Sequence, residues 1–358
     1  MRLERWIGRM AAVAAAVFFL AGCSTSVDDA LKAKAERKVE LDYPLGSGSA
    51  LGVSTANGSI RVTGHQTNDA YVVATIVARA ATREQARELA EQVTVRFERT
   101  DSGVQIKVDR PAPASKRSVS VSYEINVPRQ TDIDCDSASG AIDLTDLIGA
   151  VTARTASGPI AAARITGSIQ LQSTSGAIRC EQIDRGDIRL DNASGSLHLI
   201  DASTIGTCQM GAASGSVTAQ RIEAKSIRMN SASAGVTAHD VRAELVNLRS
   251  ASGKVAAREI SCERLQAEST SGEVSVAFSS DAPGDVAAGL KSGSGGVRVV
   301  MPRSFAGQVD LRASSGSVRL SQPIAARGKP AKNHISGTIG SGSGSLLVRS
   351  GSGAIRVR

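Results

Sequence analysis

Large side chains are scarce in this sequence. Its 358 residues hold one Trp, three Tyr and five Phe. After Tyr123 only Phe278 and Phe305 remain. A globular core built on aromatic rings is excluded, so any core must be thin and made of Ile, Leu, Val and Ala. Long apolar runs are missing too. The longest, Met10 to Leu20, has eleven residues and is too short to cross a bilayer as a helix. The groupings that carry most enzyme chemistry are equally absent. The four histidines, His65, His198, His239 and His334, are far apart and out of register, which argues against a zinc site. No base recurs beside the many serines. The Gly/Ser runs lack a Lys-Ser/Thr ending and open no helix, so they are not phosphate loops.

What is present begins with an export pattern. Arg2, Arg5 and Arg9 precede the eleven-residue apolar run, which ends in Leu20-Ala21-Gly22-Cys23 and a polar Ser24-Thr25-Ser26. This end resembles the lipobox of bacterial lipoproteins. The resemblance implies cleavage before Cys23, acylation of its sulfur, and a mature chain held on a membrane surface without crossing it. Ser24 after the cysteine favours the outer membrane if the cell is Gram-negative. Removing residues 1–22 takes away three Arg and one Glu, which lowers the net charge from +8 to +6. Those charges are scattered along an exported chain, so nucleic acid is not expected as a partner. Anionic envelope polymers, lipid headgroups or envelope proteins are.

The dominant signal is a repeat. Ser-Gly recurs at Ser139-Gly140, Ser157-Gly158, Ser175-Gly176, Ser194-Gly195, Ser214-Gly215, Ser252-Gly253 and Ser271-Gly272, with Ser233-Ala234 keeping the register. The spacings are 18, 18, 19, 20, 19, 19 and 19 residues. Looser copies follow at Gly295, Gly316, Gly344 and Gly353. Apolar residues recur seven and five positions before the glycine and two and four after it, for example Ile133, Cys135, Ile142 and Leu144. That is strand alternation on each side, with parity switched at the glycine. The chain must therefore turn there. The expectation is a glycine at positive φ, with the preceding serine inside the corner bonding the next coil. A third apolar position closes the return: Leu147, Ile165, Ile183, Ile222, Val241 and Ile260.

These features predict an all-β chain, a right-handed parallel β-solenoid of about 19-residue coils. Cys135, Cys180 and Cys208 fall on inward columns of different coils and read as small buried hydrophobes, while Cys262 stays open. The expected organisation is a signal at 1–22, an anchor and tether at 23–37, a β-rich capping region at 38–131, and the solenoid at 132–358, regular to about 278. Within the capping region Thr82-Arg83-Glu84-Gln85 is a capping box opening one short helix. Arg349, Arg356 and Arg358 are expected to guard the far open edge.

The Asn57-Gly58-Ser59-Ile60 segment, the inserted helix, Val127-Pro128 before the first regular coil, and the Ser-Gly-x-Ile/Val repeats resemble the bacterial "putative adhesin" family, a domain-of-unknown-function family of β-solenoids. The likeness covers about residues 40–358 and implies the fold, with no catalytic residues and no cofactor to carry over. Three functions follow as expectations. The first is a non-catalytic structural or binding lipoprotein of the cell envelope. The second is an accessory of envelope-stress sensing that binds another envelope protein. The third, a polysaccharide-active enzyme, would need clustered carboxylates beside sugar-stacking aromatics. The densest acidic group, Asp132, Asp134, Asp136 and Asp143, reads instead as a solvated outer face, where a weak cation site stays open.

Overall fold

A computed structural model describes residues 33–101, 103–110, 117–327 and 331–358. Residues 1–22 and Cys23 lie outside the described residues, as does most of the expected tether. The strand β1 (Ala33–Tyr43) begins within that tether stretch.

The described chain is all-β with one short helix. Each regular coil contributes one strand before the Ser-Gly bend and one after it, and equivalent strands of successive coils pair in parallel. Ile133, Val151, Ile169 and Ile188 stand in one column, for instance, and Ile142, Ile160, Ile178 and Leu197 in another. Period-two alternation puts the apolar residues of both columns inside, where they are essentially inaccessible to water. In the middle of the stack, ladder pairing runs on through the return, skipping only single corner residues. Val217–Ser231, Val236–Ser250 and Val255–Ser269 are single 15-residue strands that join one coil to the next.

The bend departs from the sequence expectation in two ways. The repeat glycines do not have positive φ. They are needed because coils stack so closely there: a Cβ on Gly158 would lie 1.9 Å from the Gly140 carbonyl oxygen. The serines before them, Ser139, Ser157, Ser175, Ser194, Ser214, Ser233, Ser252 and Ser271, are exposed on the outside of the bend. The buried hydroxyl belongs to the residue three before the glycine, which continues the inward parity of the strand. The Ser250 hydroxyl accepts from Gly253 N at 2.8 Å and donates to the Ala234 carbonyl of the neighbouring coil at 2.9 Å. Ser231 and Ser269 do the same in their coils. A residue outside the bend has water for its hydrogen bonds; one inside must find protein.

Both ends of the stack are threaded out of sequence order. After β1 come β2 (Ser49–Thr55), β3 (Ile60–His65), β4 (Ala70–Ala80), α1 (Arg83–Glu91), β5 (Thr94–Thr100), β6 (Gly103–Asp109) and β7 (Ser118–Pro128). The β2–β3 coil lies between the β6–β7 coil and the first regular coil, pairing in parallel with both. The expected capping region thus supplies two coils of the stack itself. Antiparallel strands close this end: β5 on β6, then β4 on β7 and β1 on β4. The helix α1 buries Ala86, Leu89 and Ala90. Thr82 caps it by accepting from Gln85 N.

At the other end the last coil, Gly344–Ser350 and Ile355–Val357, sits between the 287–300 coil and the 307–320 coil. The glycine column shows the same order, since Gly353 packs on Gly295 and Gly316 packs on Gly353. The chain terminus is therefore not the open edge that Arg349, Arg356 and Arg358 were expected to guard. The cover at this end is antiparallel: His334–Ile339 on Gly307–Ala313, and the two-residue strand Ala325–Ala326 outside it. Gly344, counted as a bend copy from its spacing, begins a strand instead.

Candidate functional site

The second corner of the coil follows the bend by six residues. There the alternation breaks. Asp146, Arg164, Gln182, Asp201, Arg221, Asp240 and Glu259 all adopt left-handed backbone, with φ between 52° and 60°. Pairing skips each of them: Ala163 pairs with Glu181 and Ile165 with Ile183, while Arg164 and Gln182 stand outside the ladder. Each coil thus makes the same one-residue outward bulge at this corner, in step with its neighbours, so the register of the ladder is kept. A non-glycine residue in this region costs on the order of 1 kcal/mol. The bulge returns the next residue to the interior, where Leu147, Ile165, Ile183, Ile222, Val241 and Ile260 are buried. Burying one such side chain contributes about 1.5–3 kcal/mol, which outweighs the strain.

The bulge residues form a charged ladder along the stack. Arg164 donates to Asp146 through Nε at 2.8 Å and Nη2 at 2.7 Å. Arg221 pairs with Asp201 in the same two-pronged way. His239 Nε2 lies 3.9 Å from Glu259. The arginine hydrogen bonds hold the Asp146 and Asp201 carboxyls below the ordinary carboxylate range. Beside the ladder runs an open groove of about 410 Å³. Its floor is Ile183, Ala202 and Ile222, and its walls include Asp184, Asp201, Glu223 and Asp240 against Arg221 and Arg242. Arg242 reaches Asp281 at 3.4 Å. The groove contains neither His nor Cys. Asp201 is pushed the wrong way for a proton donor, which needs a raised pKa. Such a surface can hold polar or charged ligands by paired charges.

The other residues singled out in the sequence are dispersed. Asp132 accepts from Ala150 N at 2.6 Å. Arg154 bridges Asp136 at 2.8 Å and Asp134 at 3.1 Å. Asp143 faces Arg61 at 3.6 Å. The acidic group is thus divided among a backbone amide and two arginines. Among the described residues no three His, Cys, Asp or Glu side chains gather as ligands of a metal ion would. Cys135, Cys180, Cys208 and Cys262 are buried and unpaired. Burial pushes the thiols of Cys208 and Cys262 up to about 12 and raises the other two as well. A thiol held protonated is not a nucleophile. Strict two-residue alternation does not reveal the bulge column, whose sequence signal is that three steps, not two, separate the apolar positions four and seven after the glycine.

No curated protein matches the chain. Among solved structures it is similar to a "putative adhesin" of Bacteroides fragilis, with 12% identity over 90% of this chain and 97% of that one and a TM-score of 0.27. A "putative adhesin" of Parabacteroides distasonis shares 11% identity over 89% and 97%, with a TM-score of 0.36. A "putative lipid binding protein" of the same organism shares 12% over 92% and 98%, with a TM-score of 0.33. The family model matches twice, over residues 48–206 and 186–358, so that its two copies take in the whole stack from β2 to the threaded last coil: the chain belongs to the Toastrack DUF4097 family.

Proposed function

We propose that the chain is an exported, lipid-anchored and non-catalytic binding scaffold of the cell envelope. The observation that carries this reading is the stack itself. Thirteen parallel strands on one face, at about 4.8 Å each, make a rod roughly 60 Å long. Its outward side chains are held in register from coil to coil, and several pair across neighbouring coils, as Arg154 does with Asp136 and Arg249 with Glu268. Rods of this kind present long surfaces to partners. The reading includes a right-handed coil of about 19 residues, in keeping with the hand of parallel crossover connections. It places the anchor at Cys23, on the lipobox-like sequence, and reserves no residue for catalysis.

Cell fractionation tests the proposal. The wild-type chain should sediment with membranes, carry a lipid on Cys23 and remain after salt washing, and Cys23→Ala should become soluble. A Cys23→Ala chain that stays with the membranes removes the anchor from the reading. Turnover of an envelope glycan by the purified chain would overturn its non-catalytic part.

A further inference from the structure

Outward charges that pair in register along the parallel ladder follow a pattern with one interruption; the corner residues outside the ladder, where Asp240 stands beside Glu259, are not part of it. Where charged residues of neighbouring coils pair in register, the signs are opposite: Arg61 with Glu124 and Asp143, Asp136 with Arg154, Arg249 with Glu268. Like charges directly opposite are destabilising, so this is the expected arrangement. The parallel stack breaks it four times, always at the threaded last coil. Arg349 lies between Lys291 and Arg312 on one face. Arg356 lies between Arg298 and Arg319 on the other. The two rows flank the same bend, whose tip is the small residues Ser352 and Gly353. All six side chains are exposed. Arg298 has Glu273 at 3.6 Å and Arg312 has Asp310 at 2.9 Å. Lys291 has Glu268 opposite it on its other side, while Arg319, Arg349 and Arg356 have no acidic residue opposite them in the ladder and no ion pair among the described residues. Placing the last coil between its neighbours is what creates both rows, because without it neither arginine would have a like charge on each side.

We infer that this double basic row is a binding site for a linear acidic polysaccharide, an inference that rests on the scaffold reading above. Three observations favour that ligand. The charges recur at the strand spacing of about 4.8 Å, a scale on which one carboxylate per sugar also recurs along an extended chain. Five of the six are arginines, whose planar fork matches a carboxylate with two hydrogen bonds. The surface offers little to other polyanions. One large apolar side chain, Val300 or Leu347, is exposed beside each row, too little to enter a bilayer. The rows contain no aromatic on which a nucleic-acid base could stack.

The test uses the full chain purified in detergent and native gels containing polygalacturonate. Wild-type protein should be retarded, and raised salt should relieve the retardation. Arg349→Gln with Arg356→Gln removes the centre of both rows and should weaken binding about tenfold. A control that removes two scattered cations, Lys225→Gln with Arg228→Gln, should bind as wild type does. The Arg349/Arg356 variant should melt no lower than wild type, because it relieves repulsion; loss of binding then cannot be ascribed to unfolding. Wild-type protein that ignores polygalacturonate overturns the inference, whatever fractionation says of the anchor. So does a variant that still binds fully. Preference for phosphatidylglycerol in mixed micelles, or for an oligodeoxyadenylate, overturns it in favour of a lipid or nucleic-acid surface. A variant that polymerises while binding is unchanged shows that the rows only guard the end of the stack.

Discussion

At the residue scale, the bend separates two serines that a sequence presents as equals. Ser250 and Ser252 are two positions apart in the same Ser-Ala-Ser-Gly segment. Ser250 is inside, bonded to Gly253 N and the Ala234 carbonyl. Ser252 is outside. Ser250→Ala should therefore cost about 1–3 kcal/mol, the penalty for leaving a buried donor and acceptor unsatisfied. Ser252→Ala should stay within about 0.5 kcal/mol. Urea denaturation of both variants checks this, and equal effects would refute the assignment. Gly158→Ala should cost more than about 3 kcal/mol in the same assay, since its methyl would overlap the Gly140 carbonyl and the backbone cannot give way. The repeated Ser-Gly marked this corner in the sequence, but not which serine faced inward. Strand parity carried that information: positions seven, five and three before the glycine share one face. Conspicuous repetition of the outer serine concealed it.

At the element scale, the strands and inward columns were readable because alternation of apolar residues is a property of short segments. The left-handed bulge was harder to see. Its residues are Asp, Arg, Gln and Glu, without the glycine that usually marks positive φ. What selects them is the ladder they form with neighbouring coils, a contact between residues some 19 apart in sequence. Asp201 provides a test. Its carboxyl is held low by the Arg221 hydrogen bond. A carboxyl with a lowered folded pKa contributes stability above its unfolded value, near 4, and that contribution disappears as pH falls through the folded value. Asp201→Asn keeps a residue that tolerates left-handed backbone. It should lower the melting temperature at pH 7, and the deficit should vanish once the pH is well below 4. High salt should shrink the deficit at pH 7. A deficit that persists in acid would place its origin in the bulge backbone.

At the scale of the whole molecule, the threading of both ends is the feature that no local pattern announces. Sequence spacing orders coils along the chain, and nothing in the Gly/Ser-rich stretch before Gly344 shows that the chain doubles back. Only pairing reveals that the last coil lies inside the stack, with strand neighbours on both sides. The consequence is measurable. In a solenoid stacked in chain order the terminal coil has one neighbour and frays first. Here a terminal coil is held like a central one. Its apolar residues Leu346, Val348, Ile355 and Val357 are as buried as those of the middle coils. Native-state hydrogen exchange should protect the amides of 344–350 and 355–357 about as strongly as those of 236–250, while the outer cover at 334–339 exchanges faster. Deleting residues 341–358 should then do more than trim an end. It would separate the 307–320 coil from the 287–300 coil, expose two apolar faces and cause aggregation. Rapid exchange at 344–357 with protection at 334–339 would mean that the coils stack in chain order. The two basic rows at this end would then lose the coil that makes them.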